Sequence, residues 1–497
     1  PRLSPGAGRE ARFLGNTIFL SAGRFRHTGH SETMKQKARD SRPAISPARA
    51  AAFDILLRVE RESSYASELL HSQTYARLTT IDHSLATELV MGVLRWRSLL
   101  DSQIAASSAQ PLAKLDPEVL TALRLGTYQL RWLSRIPARA AINESVELVK
   151  HARKRSAAPF VNAVLRKLDA SVSRVDNSLP PAISDASTET LAASSAHPLW
   201  LVERWAHAYG LDSAFRICRY DQSVPVTAIR LRRPEAEERI KAEGIELAPG
   251  AFLASARRVQ HGDVTRSAAF RAGLIVIQDE ASQLVAALVG HGTHILDCCA
   301  APGGKTLAIA DRNPRANISA VELHPHRARL LRRMLSAPVP QTATNPNDIR
   351  VVAADARDLP FATKFDHVLA DVPCSGTGTL ARNPEIKWRL APQDLADLQG
   401  RQLAILRSAM AHVAPGGRLI YSTCSLEKEE NEDVIERLSE EDSSFRVIDC
   451  HAELEQLREQ SELIWPNPAS LTRGPYLRTL PGVQPCDGFF AAILEKI

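Results

Sequence analysis

His294-Ile-Leu-Asp297-Cys-Cys-Ala-Ala-Pro-Gly303-Gly-Lys-Thr306 is the stretch that decides the fold. An apolar run ends in an acid, turns through small residues and a Gly-Gly pair, and passes into helix-forming sequence. Such a strand-turn-helix lets the backbone approach a ligand closely, with helix N–H groups directed at its polar end. The spacing is neither a P-loop nor Gly-x-Gly-x-x-Gly, and taken alone it also fits an ordinary strand-to-helix loop. Downstream, strand patterns recur at Ile318–Glu322, Arg350–Ala354, His367–Asp371, Arg418–Ser422, Phe445–Ile448 and Phe489–Leu494, mostly with helical sequence between them. With His294–Cys298 this predicts a mostly parallel seven-stranded sheet with helices on both faces, over residues 284–497. Ligands on such sheets sit beyond the carboxyl ends of the strands.

Acids stand at three of those ends. Glu322 ends the second strand, where a carboxylate can accept ribose hydroxyls. Asp355 follows the third and suits an adenine amino group. Asp371 ends the fourth. Each alone fits a helix cap; three in succession after a Gly-Gly turn favour a nucleoside cofactor. Two cysteines join them, in Asp371-Val-Pro-Cys374-Ser-Gly-Thr-Gly378 and in Tyr421-Ser-Thr-Cys424-Ser425. A lone cysteine is usually a small buried hydrophobe. Two at neighbouring strand ends facing one crevice suggest nucleophilic chemistry, which requires thiolate.

Upstream the pattern changes. Helical spacing runs through Ala48–Val59, Ser84–Leu100, Pro117–Leu133, Ala141–Ala152 and Pro159–Leu168, giving an all-helical domain over 47–170. Residues 171–196, rich in Ser, Ala, Pro and Asp, read as a linker, and 197–283 as a small α/β subdomain with a helix at Pro198–Tyr209 and a strand at Val224–Leu231. Residues 1–46 read as a disordered extension and basic arm, with 1–33 upstream of the first methionine, Met34, taken as the true start.

Net charge is +6 over 497 residues, and it is uneven: residues 34–170 hold 21 Lys/Arg against 13 Asp/Glu. Clustered positive charge suits a nucleic acid, although solvated helix faces look the same. Seven cysteines, without a Cys-x-x-Cys or a secretory signal, point to free thiols in the cytoplasm. No apolar run reaches the roughly 18 residues of a membrane span. His324 and His326 lack cysteine partners nearby, so no metal is expected.

The segments Cys299–Thr306, Asp371–Gly378 and Thr423-Cys424-Ser425 resemble the motifs of the Sun/Fmu-type RNA cytosine-5 methyltransferases. The likeness extends through Gln278-Asp-Glu-Ala-Ser-Gln283, Asn383-Pro-Glu-Ile-Lys-Trp388 and Asp487-Gly-Phe-Phe490. Residues 49–168 resemble the RNA-binding NusB fold, through Asp82–Arg95, Ala141-Ile-Asn-Glu144 and Phe160–Arg166. The pairing is the layout of RsmB-type enzymes.

The resemblance implies a NusB-like domain followed by a Rossmann-like class I methyltransferase domain. It implies S-adenosylmethionine held by Cys299, Ala300, Ala301, Pro302, Gly303, Gly304, Lys305, Glu322, Asp355 and Asp371, and a 16S rRNA substrate methylated at carbon-5 of a cytosine by a monomer. In that family the Thr-Cys-Ser cysteine, here Cys424, is the nucleophile, and the Pro-Cys-Ser cysteine, here Cys374, assists release, with Asp371 beside the base. Candidate RNA contacts are Arg131, Arg135, Arg139, Arg153, Lys154 and Arg155 on the helical domain, and Lys387 and Trp388 after the Cys374 loop. Glu322 stands where the family usually has Asp, and Cys298 reads as packing. A non-catalytic RNA-binding assembly factor and methylation of another RNA are the competing readings; DNA cytosine methyltransferases lack Thr-Cys-Ser.

Overall fold

The computed structural model describes residues 45–62, 64–170, 187–336 and 348–497, and the expectations for residues 1–44 and 171–186 lie outside them. The first part is a helical bundle: α1 (Pro47–Glu62), α2 (Ala66–Leu70), α3 (Thr80–Ser107), α4 (Pro117–Trp132), α5 (Ala138–His151) and α6 (Ala158–Ala170). The 3.6-residue spacing of Ala52, Ile55, Leu56 and Val59 turns one face of α1 into the bundle core. Thr79 Oγ1 accepts the Asp82 N–H at 3.1 Å and caps α3. Pro117 occupies the first turn of α4, where its missing N–H is not needed. Arg124 on α4 donates to both Asp101 oxygens, at 2.7 and 2.8 Å, and to Glu60 at 2.9 Å. This ties α4 to α3 and α1.

The linker reading needs correction at its end. Residues 188–194 form α7 (Thr188–Ser194), capped by Ser187 Oγ accepting the Thr190 N–H. Leu191 and Ala192 are buried in it, a signal hidden by the surrounding Ser and Ala. Two helices follow, α8 (Leu199–Tyr209) and α9 (Leu211–Asp221). Their apolar faces share a core with Leu380, Ile386 and Leu426 from the loops of the large sheet.

A four-stranded antiparallel sheet comes next, from β1 (Ala228–Leu231), β2 (Glu246–Pro249), β3 (Ala256–His261) and β4 (Ile275–Ile277), in the order β2-β3-β1-β4. It carries α10 (Glu235–Ala242) and α11 (Ala268–Arg271). The strand is shorter than Val224–Leu231, because Val224 and Val226 are exposed.

From α12 (Glu280–Leu288) the chain builds the large sheet: β5 (His294–Asp297), α13 (Gly304–Arg312), β6 (Asn317–Glu322), α14 (Pro325–Leu335), β7 (Asp348–Ala353), β8 (Phe365–Asp371), α15 (Ile386–Arg389), α16 (Asp394–Ala411), β9 (Val413–Thr423), α17 (Glu432–Glu441), β10 (Phe445–Ile448), α18 (Cys450–Glu459), β11 (Thr472–Arg473), β12 (Tyr476–Thr479) and β13 (Phe489–Lys496). Strands β7-β6-β5-β8-β9 are parallel; β13 runs antiparallel beside β9, and β10 and β12 both pair with β13. Among the described residues the sheet has nine strands rather than seven. The two extra ones, β11 and β12, are two and four residues long and meet at Gly474-Pro475, too brief for an alternating pattern to show. Strand order reverses between β5 and β8, which opens a crevice at their carboxyl ends.

Candidate active site

The β5–α13 turn forms one wall of that crevice. Gly303 caps α13 at φ 116°, left-handed backbone in which a side chain is strained, and a Cβ there would lie 2.8 Å from Leu331 Cδ1. Asp297, at the end of β5, is buried and accepts from Thr306 Oγ1 at 2.7 Å. Its other oxygen, Oδ1, is buried without a hydrogen-bond partner. Burial pushes this carboxyl up to about 6, against the pull of the Thr306 hydrogen bond. Sequence reasoning named Cys299–Lys305 and passed over Asp297, although it stands at the strand end like the other acids.

Lys305 crosses the crevice: its Nζ lies 2.7 Å from Asp371 Oδ2 and 4.9 Å from the centre of the Phe489 ring. Burial lowers its pKa, but pairing with Asp371 outweighs this and leaves the ammonium favoured. Asp371 also accepts from Ser422 Oγ at 2.7 Å, which joins the ends of β8 and β9. Glu322 is buried at the end of β6 and accepts the His324 N–H at 2.9 Å, with Leu323 exposed beside it. Asp355 accepts from the backbone and guanidinium of Arg357, the latter at 2.6 Å. The acids thus line successive strand ends, and Cys298 is buried as packing.

The sheet brings the two cysteines together. Cys374 follows β8, Cys424 follows β9, and their sulfurs are 3.3 Å apart, both half-buried. The hydrogen bond with Cys424, and then burial, hold the Cys374 thiol well above its ordinary pKa. The two thiols thus face each other across one hydrogen bond.

A buried acid clamps the loops that carry them. Glu430 Oε1 accepts the Ser375 N–H and Gln402 Nε2, each at 2.8 Å, and its Oε2 accepts Ser425 Oγ at 2.5 Å. Asn431 accepts from Thr423 Oγ1 at 2.5 Å and donates to the Ser425 carbonyl at 2.9 Å. Each cysteine is thus flanked by a residue held by Glu430. In the sequence, Glu427-Lys-Glu-Glu430 reads as a solvated charge run, which conceals that Glu430 is fully buried.

The motifs also meet one another. The Gly378 N–H donates to the Cys424 carbonyl at 2.9 Å, and the Gly488 N–H to the Gly378 carbonyl at 2.7 Å. A Cβ on Gly378 would lie 2.2 Å from Gly488 O, so this approach requires glycine. Arg382 donates to Asp487 at 2.8 Å and Asp279 at 3.1 Å, joining the Pro-Cys-Ser, Gln-Asp-Glu and Asp-Gly-Phe-Phe segments.

Two sequence expectations are corrected here. Lys387 is 1% exposed, so it does not face RNA. Its ammonium is buried near Asp221, and burial lowers its pKa to about 7. Trp388 is turned into the helical bundle, where its indole donates to the Leu94 carbonyl at 2.6 Å. Both lie in a segment that docks onto the bundle, and docking takes the side chains that sequence alone would leave free for substrate.

Of the basic candidates, Arg135, Arg139, Arg153 and Arg155 are exposed, Arg131 is half-buried, and Lys154 pairs with Asp116 at 3.0 Å. They fall into two groups at opposite ends of α5, about 20 Å apart for a helix of 14 residues. Among the described residues no cluster of His, Cys, Asp and Glu suits a metal ion, and no helix is long and apolar enough to cross a membrane.

Residues 286–495 match the family described as 16S rRNA methyltransferase RsmB/F, and residues 46–170 match the NusB family. The probable ribosomal RNA small subunit methyltransferase B of Bacillus subtilis is 33% identical over 463 residues, covering 90% of this chain and 98% of its own. The ribosomal RNA small subunit methyltransferase B of Vibrio cholerae is 30% identical, with 91% and 98% covered. The crystal structure of PH0851 superposes with a TM-score of 0.72 at 22% identity, covering 91% of this chain and 99% of that one.

Proposed function

From the premise that this chain belongs to the RsmB/F family of S-adenosylmethionine-dependent small-subunit rRNA methyltransferases, we propose that it methylates carbon-5 of a cytosine in 16S rRNA through a covalent Cys424 adduct. The observation that carries this is the 3.3 Å approach of Cys374 and Cys424 at adjacent strand ends. Residues 47–170 serve as the RNA-binding helical domain and 284–497 as the catalytic one.

The crevice suits the cofactor. The orphaned Asp297 Oδ1, the Gly303 turn, buried Glu322 and the exposed Leu323 fit a nucleoside with a charged tail. Residues Cys299–Lys305, Glu322, Asp355 and Asp371 would hold it. Bound there, S-adenosylmethionine supplies an electrophilic methyl group.

Carbon-5 of cytosine is a weak nucleophile. Cys424 thiolate adds to carbon-6, and the electrons of the C5–C6 double bond move to carbon-5. Asp371, held by Lys305 and Ser422, hydrogen-bonds the edge of the base. Once carbon-5 carries the methyl group, Cys374, as thiolate after losing its proton to solvent, takes the carbon-5 proton, and the electrons of that C–H bond re-form the C5–C6 double bond. The carbon–sulfur bond then breaks and its electrons return to Cys424.

The mutants test this directly. Cys424→Ala should abolish methylation and adduct formation, whereas Cys374→Ala should accumulate a protein–RNA band on a denaturing gel. The opposite pattern would reverse the roles, and full activity in both would overturn the mechanism. The two basic groups at the ends of α5 add phosphate contacts, so deleting residues 34–170 should lower RNA affinity and flatten its salt dependence.

A further inference from the structure

The turn between α1 and α2 of the helical bundle packs on the segment that follows Cys374. Around it the bundle and the segment after Cys374 are stitched together. Arg389 donates to the carbonyls of Val59 and Ser64, each at 2.6 Å. Glu385 Oε1 accepts the Ala66 N–H at 2.7 Å, and Ser67 Oγ donates to Asn383 Oδ1 at 3.3 Å. That segment is in turn tied to the Cys374 loop, since Asn383 donates from its backbone to the Thr379 carbonyl at 2.9 Å and from its side chain to Thr379 Oγ1 at 3.2 Å.

Tyr65 sits between these stitches. Its backbone is fixed on both sides, yet its side chain remains 44% exposed. Among the described residues its hydroxyl has no hydrogen-bond partner and its ring stacks on no other aromatic. Partial burial, and then the charges of Glu385 and Cys424 with a smaller share from Cys374, hold its hydroxyl above the ordinary tyrosine range. The segment it packs beside leads to the thiols, because Asn383 is bonded to Thr379 and the adjoining Gly378 N–H donates to the Cys424 carbonyl at 2.9 Å. A rigidly mounted, unsatisfied aromatic beside a nucleophile that must attack a base is a stacking surface: single-stranded bases are commonly held on such rings, and a base edge is reached only once it has left its stack.

We propose that Tyr65 stacks against the target cytosine in the crevice, so that the helical domain supplies part of the base-binding site. The proposal rests on the cytosine-5 reading above. It gives the bundle a role besides holding phosphates, and it replaces Trp388, which faces the bundle interior.

The test is adduct formation with a 16S rRNA transcript carrying 5-fluorocytidine, whose carbon-5 fluorine cannot leave as a proton would, in the presence of S-adenosylmethionine. Tyr65→Ala should need at least about fivefold more RNA for half-maximal adduct formation, the low end of what one base–aromatic stack contributes. Tyr65→Phe should behave as wild type, and calorimetric S-adenosylmethionine affinity and melting temperature should be unchanged in both. Wild-type behaviour of Tyr65→Ala would overturn the proposal while leaving the cytosine-5 reading intact. A defect in Tyr65→Phe equal to that in Tyr65→Ala would also overturn it, because the hydroxyl rather than the ring would then matter. Absence of adduct with the wild-type protein would overturn the cytosine-5 reading and Tyr65 with it.

Discussion

Replacing Glu430 removes the clamp on the two cysteine loops without touching either sulfur. Its carboxylate accepts the Ser375 N–H, Gln402 Nε2 and Ser425 Oγ, all in a fully buried space. Glu430→Ala strands three donors. At about 1–3 kcal/mol for each buried unsatisfied group, offset in part by water entering the space, the loss is roughly 3–6 kcal/mol. That is a large fraction of a domain stability of about 5–15 kcal/mol. Glu430→Gln is milder. One amide oxygen can keep Ser375 and Gln402, while the amide nitrogen forces the Ser425 hydroxyl to turn towards Ser375 Oγ, 3.0 Å away. Only charge assistance is lost, at about 1–2 kcal/mol. Thermal melting should rank wild type above Gln above Ala. Single-turnover methylation should show a fall in kcat for both, because the 3.3 Å sulfur separation is no longer held, while S-adenosylmethionine affinity is kept in Gln. A Glu430→Ala protein with wild-type melting temperature and kcat would refute the clamp.

Asp355→Ala and Glu322→Ala should each weaken S-adenosylmethionine binding about tenfold, measured by calorimetry, for the loss of a charged hydrogen bond of about 1.5 kcal/mol. Gly378→Ala should destabilise by about 1–3 kcal/mol and depress activity, because its Cβ would meet Gly488 O at 2.2 Å; denaturant unfolding checks this. For Asp297→Asn the expectation concerns pH. The folded-state carboxyl is raised from 3.8 to about 6, so the folded protein holds this proton more tightly than the unfolded chain. Stability is therefore lost as pH rises through that window, by roughly 3 kcal/mol. Asparagine removes that component, and the melting temperature of the mutant should fall less between pH 4 and 7 than that of wild type.

Much of this was legible in the chain. Helical periodicity placed the bundle helices because one face of each is buried, and apolar runs ending in acids placed β5, β6 and β8 because a sheet covered on both sides needs them. The proposed site residues sit at strand ends, where local sequence shows them, so Glu322, Asp355, Asp371, Cys374 and Cys424 were all named from sequence. What tertiary structure decided is what depends on partners distant in the chain. Glu430 looks like one charge in a surface run until the two cysteine loops fold over it. Lys387 and Trp388 look available to RNA until their segment docks on a bundle some 300 residues upstream in sequence, which buries the one and turns the other inward. Asp297 was visible as an acid, but its orphaned oxygen exists only once the turn closes over it. The 3.3 Å between the sulfurs arises because β8 and β9 are hydrogen-bonded neighbours. Local patterns report which face of an element is buried; the identity of the element that buries it comes from long-range packing.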